Sequence, residues 1–212
     1  TVVLSQLIGI REMSFRKDSH DSPSLKRVLP RLERSSLSVI LSTSSVFLSE
    51  RNLLRLFRWE TRKLDRLLEA DDSYDVSQII NIPRVIGVSE SNRNWSVLMV
   101  LDHLCLVIED CRKAIVALSD GVEPRGEIDL SFYAPSEDVG FEVIGRFEHL
   151  TGCFCHDIQS AINGEATFSG PAQFSHPCFG SMNAKRWLAF AALHQVIHRR
   201  QVQKIIVMLG IT

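Results

Sequence analysis

Four stretches of about 25 residues carry apolar side chains at three- and four-residue steps, the spacing of one helix face. That periodicity restricts the chain to helix packed on helix, because each stripe must be buried and no strand pattern is present to receive it. The first stretch runs from about Ser45 to Ala70, with Leu53, Leu54, Phe57, Leu64, Leu67 and Leu68 in the stripe, and Asp71, Asp72 and Ser73 end it. In the second, Asn94 is placed as N-cap before Trp95 and the apolar run continues to Leu118, with Gly121 and Pro124 as the stop. In the third, Ser136 is placed as the cap, and Glu137 and Asp138 fill the first turn, where the macrodipole favours acid. Its inner stripe is Phe147, Leu150, Phe154, Ile158 and Ala161, and Asn163-Gly164 ends it. Asn183 caps the fourth, which runs to about Leu209 and stops at Gly210.

The expected architecture is therefore all-α: an antiparallel four-helix bundle over residues 44–212, preceded by an N-terminal extension over residues 1–43. Between Pro23 and Pro30 the extension has room for a short helix, and Val2 to Ile10 is apolar. Connections of about 18 to 24 residues are long for a bundle, and loops of that length usually have a role.

Composition narrows the function classes. The 212 residues are 45% hydrophobic and 23% charged, which excludes disorder. A net charge of -1 leaves no basic footprint for nucleic acid, and no apolar run is long enough to span a membrane. Neither is expected as a partner. The cysteines are five, an odd number in a chain large enough to stabilise itself by burial, so a reducing compartment is expected. Residues 2–10 lack a basic leader, and the serine-rich segment 36–49 lacks a small-residue cleavage site. The chain reads as cytoplasmic.

The sharpest chemical feature is His194-x-x-x-His198 in the last helix. Four residues advance a helix by about 400°, so the two rings share a face one turn apart. Trp187, Phe190, Ala191, Ile205 and Met208 lie on that face, which turns both rings inward. His103 in the second helix has Met99, Val100 and Val107 as neighbours and also turns inward. Three imidazoles from two helices make a ligand set with an open position, which is the catalytic rather than the structural pattern. Imidazole suits a divalent ion of zinc, nickel, iron or copper, and the sequence does not choose among them. The donor nitrogens are expected within roughly 3–4 Å of one another. The segment HQVIH has Gln195 where a zincin has its general-base glutamate, so no protease reading follows.

At these residues the chain resembles a known family. Trp95-Ser96 opening the second helix, His103-Leu104 within it and His194-x-x-x-His198 on the fourth resemble the DinB/YfiT-like metalloenzyme superfamily. The loop string HPCFGSMNAKRW, from His176 to Trp187, and the tail HQVIHRRQVQKI are similar to one branch of it. The resemblance covers roughly residues 45–210, and the 43-residue extension departs from it. It implies a four-helix bundle, a divalent metal ion (Zn, Ni or Fe) on His103, His194 and His198, and a homodimer. It also implies a small-molecule substrate, with low-molecular-weight thiols used by some relatives. Two functions stay open: a metal-dependent transferase or hydrolase acting on a small molecule, or a non-catalytic metal-binding or small-molecule-binding bundle module.

Other residues are weighed against this site. Cys153 and Cys155 lie about 200° apart on a helix and cannot share a ligand face. His149 and His156 lie away from the inner stripe and read as solvated. His176 and Cys178, in the loop before the last helix, read as turn or packing residues near the bundle end, or as a pocket mouth if the loop folds back. Asp102 points about 100° away from His103. Gln201 shares the histidine face and is placed to orient a ring or a bound water.

Overall fold

The computed structural model of the chain describes residues 30–69 and 75–210. The segment between Pro23 and Pro30, the apolar stretch Val2 to Ile10 and the helix stop at residues 71–73 lie outside the described residues. Among the described residues there are five α-helices: α1 (Arg31–Phe47), α2 (Glu50–Glu69), α3 (Val97–Ser119), α4 (Glu142–Asn163) and α5 (Ala184–Met208). None of them is long and apolar enough to cross a membrane.

The first expected helix is interrupted near its start. Leu48 takes an extended conformation, and the Ser49 hydroxyl accepts from the Asn52 amide at 3.3 Å, so α2 begins afresh. The boundary drawn at residue 43 falls inside α1, which packs along α5 and buries Leu41. Two caps also differ from expectation. Ser96, not Asn94, caps α3 by accepting from the Met99 amide at 3.1 Å. Asn94 pairs with Asn81 in a two-stranded ribbon, β1 (Ile80–Asn81) with β2 (Asn94–Trp95). Ser136 does not cap α4, which starts at Glu142 with no side-chain cap; the Ser136 amide instead donates to Asp102 at 2.8 Å. Asn183 caps α5 as expected, accepting from the Arg186 amide at 3.0 Å. The loop before α5 holds a short hairpin, β3 (Phe174–His176) with β4 (Gly180–Met182), where no strand was expected.

Helices α2 to α5 form the four-helix bundle, a ring in which α2 touches α5 and α4, and α3 touches α4 and α5. Cross-helix pairs fix the directions. Phe57 stacks on Phe154, and Asp65 feels the charge of Glu148, so α2 and α4 run antiparallel. Asp102 pairs with Arg146, and Arg112 pairs with Asp157, so α3 and α4 run parallel. Glu50 pairs with Lys185, and Glu60 with Arg199, so α2 and α5 also run parallel. Trp95 stacks over His198, while the chain beyond Ser119 reaches Lys185 through residues 167 and 168, so α3 and α5 run antiparallel. Parallel neighbours that follow each other in the chain need a crossover. Helix α3 is about 35 Å long, and the connection from α3 to α4 must return over that distance. That is the physical reason for one of the long loops.

The core is built where the stripes meet. From Val97 to Cys105 every residue of α3 is buried, so this helix end is enclosed on all sides. Phe57 and Phe154 stack with centroids 4.2 Å apart and are fully buried. Truncating either to alanine would cost about 3–5 kcal/mol. The loop after β1 crosses α5 at Gly87, where φ is +91° and an added Cβ would lie 2.6 Å from the Ile197 side chain. Only glycine fits that approach, and it lets the loop carry Asn92 to the Gln201 side chain.

Candidate metal centre

The enclosed end of α3 supplies His103, and one face of α5 supplies His194 and His198. The three rings converge: centroids are 5.1 Å apart for His103 and His194, 4.7 Å for His103 and His198, and 4.3 Å for His194 and His198. One ligand atom from each ring lies within 4.8 Å of the others, somewhat wider than the 3–4 Å spacing expected. His103 Nε2 and His194 Nε2 are 3.3 Å apart. Two nitrogens at about 2.0–2.1 Å from one tetrahedral ion would be about 3.3–3.4 Å apart, so this pair already has a ligand spacing.

Hydrogen bonds on the far side of two rings fix which nitrogen is free. His103 Nδ1 lies 2.6 Å from the Tyr133 carbonyl, which can only accept, so Nδ1 carries the proton and Nε2 keeps its lone pair. Tyr133 belongs to a 3-10 turn, Leu130–Tyr133, and its hydroxyl donates to Asp110 at 2.7 Å, which ties the turn back onto α3. The Gln201 amide nitrogen donates to the Asn92 carbonyl at 2.7 Å, so its Oε1 faces His198. His198 Nδ1 therefore donates to Oε1 at 2.7 Å, and His198 Nε2 is free to act as a ligand. Gln201 was legible in the sequence as a partner; Tyr133 and Asn92 were not, because they reach the site from distant loops.

The environment keeps the rings neutral. Burial is the main cause lowering the pKa of His103, against which the Tyr133 hydrogen bond and the Asp102 charge act. Burial lowers His194 and His198 further, and the other histidines add to it. Neutral imidazole is the form that ligates. Trp95 packs against His103 and His198, with centroids 5.2 and 6.5 Å away, and Phe190 packs against His194 at 5.4 Å. His103 and His198 are buried, whereas His194 is partly exposed. The donor set of three neutral nitrogens, pre-oriented and walled by aromatic rings, fits a divalent ion of the imidazole-preferring kind.

The remaining candidates take other roles. Asp102 points away, to the Ser136 amide and Arg146. No carboxylate joins the three histidines among the described residues. The hairpin does fold back: His176 is buried against Phe179, Phe190 and Trp187, and its charge would be felt at His194. Burial holds the His176 pKa down at about 4. Its Nδ1 accepts from the Cys178 amide at 3.0 Å, which is the turn role expected. Cys178 lines a depression of about 420 Å³ against α1 with Arg34, Ser38 and Ser42, and burial raises its thiol pKa. It is therefore not an activated thiolate. His149 and His156 are exposed on α4, away from the inner stripe.

No protein-family model matches the chain, and no curated protein matches it. Among solved structures, the crystal structure of TT2238, a four-helix bundle protein, is similar over 73% of this chain and 98% of its own, with 23% identity and a TM-score of 0.49.

Proposed function

We propose that the chain is a metal-dependent enzyme of the DinB-like type, with a divalent ion on His103, His194 and His198 and a small molecule as substrate. The observation that carries this reading is the pair of oriented imidazoles: His103 set by the Tyr133 carbonyl and His198 by Gln201, both turned toward His194. When bound, the ion would supply Lewis acidity for transfer to, or hydrolysis of, a substrate reaching it from the His194 side. Trp95 covers the rings of His103 and His198, Phe190 packs on that of His194, and the loop carrying Tyr133 holds the proton on His103 Nδ1. His176 Nε2 has no partner among the described residues and is available to a substrate polar group. The family resemblance suggests a low-molecular-weight thiol as the substrate class. Five free cysteines support a reducing, cytoplasmic setting.

A homodimer belongs to the same proposal. Leu32, Val39 and Val46 repeat at seven-residue steps along α1 and are 85%, 64% and 70% exposed, with Phe47 beside them at 80%. A second copy is one way to cover that stripe. Sedimentation as a 24.0 kDa monomer would refute it.

The second reading is a non-catalytic metal-binding module, favoured by the lack of a carboxylate beside the three histidines among the described residues. The first test is metal content of untagged protein prepared without chelating resin. Retained divalent metal, with the central equivalent lost in His198→Ala and helical circular dichroism preserved, is the expected result. Parent protein that takes up no divalent ion at all would overturn both readings.

A further inference from the structure

Outside the central site, metal-ligating side chains also lie on the outer face of α4. His149, Cys153 and His156 are separated by four and three residues, which places them within about 60° of one another around the helix. Both histidines are exposed, and the cysteine is partly so. His149 Nε2 lies 3.6 Å from Cys153 Sγ. A nitrogen at about 2.0–2.1 Å and a thiolate at about 2.3 Å from one tetrahedral ion would be about 3.5–3.6 Å apart. The pair therefore already has the spacing of two ligands. His149, Cys153 and His156 line one depression of about 420 Å³ on α4, distinct from that at Cys178, together with Glu148 and Asp157.

None of these three side chains holds the fold together. Cys153 is the hydrogen-bond partner found for His149, and His156 has none among the described residues. Arg112 stands at the edge of the depression, but its guanidinium donates to Glu109 at 3.0 and 3.1 Å and to Asp157 at 2.5 Å. Its charge is thereby offset, and Glu148 adds a negative charge to the rim. The His156 side chain, unconstrained by partners, can turn about its rotatable bonds to complete a three-ligand set.

We propose that His149, Cys153 and His156 form a second metal site on the surface of α4. Nitrogen and sulfur donors select a borderline ion such as zinc over calcium or magnesium, which prefer oxygen. The site is independent of the central histidines and differs from them in having a thiolate. That difference supplies the test.

Cobalt(II) is titrated into the full chain at neutral pH in the presence of a non-thiol reductant. A near-ultraviolet sulfur-to-cobalt charge-transfer band is expected, which the all-nitrogen central site cannot produce. The band should persist in His198→Ala and vanish in Cys153→Ser. Losing a direct ligand costs at least as much as losing the group that orients one, so His149→Ala and His156→Ala should each weaken the band's apparent affinity about tenfold or more. Circular dichroism confirms that these surface variants stay folded. No band in the full chain overturns the proposal. So does a band that survives Cys153→Ser, or an affinity unchanged in either histidine variant.

Discussion

Replacing Gln201 with leucine tests whether the central site is held by its outer hydrogen bonds. Gln201 is fully buried, and leucine is close to it in size, so the change removes two hydrogen bonds and little packing. One is donated by His198 Nδ1 to Gln201 Oε1, the other by Gln201 Nε2 to the Asn92 carbonyl, both at 2.7 Å. Asn92 sits in a partly exposed loop, so water can reach its carbonyl. His198 is only 3% exposed, and water cannot replace its acceptor. A stranded Nδ1–H costs about 1–3 kcal/mol, unless the proton moves to Nε2. That nitrogen faces the other two rings, so a proton there must leave before metal binds. Zinc affinity should therefore fall about 10–100-fold, or about 1.4–2.8 kcal/mol, with a loss of folding stability near the lower end of the stranding cost. Competition against a chromophoric chelator measures the first quantity and chemical denaturation the second. Gln201→Glu keeps an acceptor and should recover much of the affinity. Zinc binding unchanged in a folded Gln201→Leu protein would show that the hydrogen bond does not orient the ligand.

Stability should fall with acid because His176 is held at about 4, below its ordinary 6.5. The unfolded chain then binds more protons between those values, so the stabilising contribution is complete above pH 6.5 and is lost as pH falls toward 4, by up to about 3 kcal/mol. Buried His103, His194 and His198 act in the same direction, while Asp65, raised to about 6 by burial and by Glu148, acts in the opposite one. Relative to His176→Phe, the parent's denaturation midpoint should fall as pH is lowered, and parallel curves would count against this account. Arg199→Met should cost about 3 kcal/mol, because Glu60 is 2% exposed and would keep only Lys63 at 3.7 Å. Adding Glu60→Leu should restore most of that stability, and a double variant as unstable as the single would reject the buried-charge explanation.

The periodicity of Leu53, Leu54, Phe57 and their counterparts was enough to determine a helical bundle, because a 3.6-residue stripe has no stable exposed state. The i, i+4 spacing of His194 and His198 was likewise enough to put two rings on one face. Local rules also located the Asn183 cap, whose partner is only three residues away. They misplaced the caps at Asn94 and Ser136, where strand pairing and the Asp102 carboxylate compete for the same backbone. The break at Leu48 and the new start at Ser49 were equally hidden inside a continuous apolar pattern. Tertiary structure alone decided that α3 runs parallel to α4, and that the hairpin brings His176 back toward His194. It alone decided which nitrogen is free on His103 and on His198, because Tyr133 and Asn92 lie 30 and 109 residues from the side chains they meet. Pairings at such separations depend on how whole helices are assembled, and no short-range pattern encodes that.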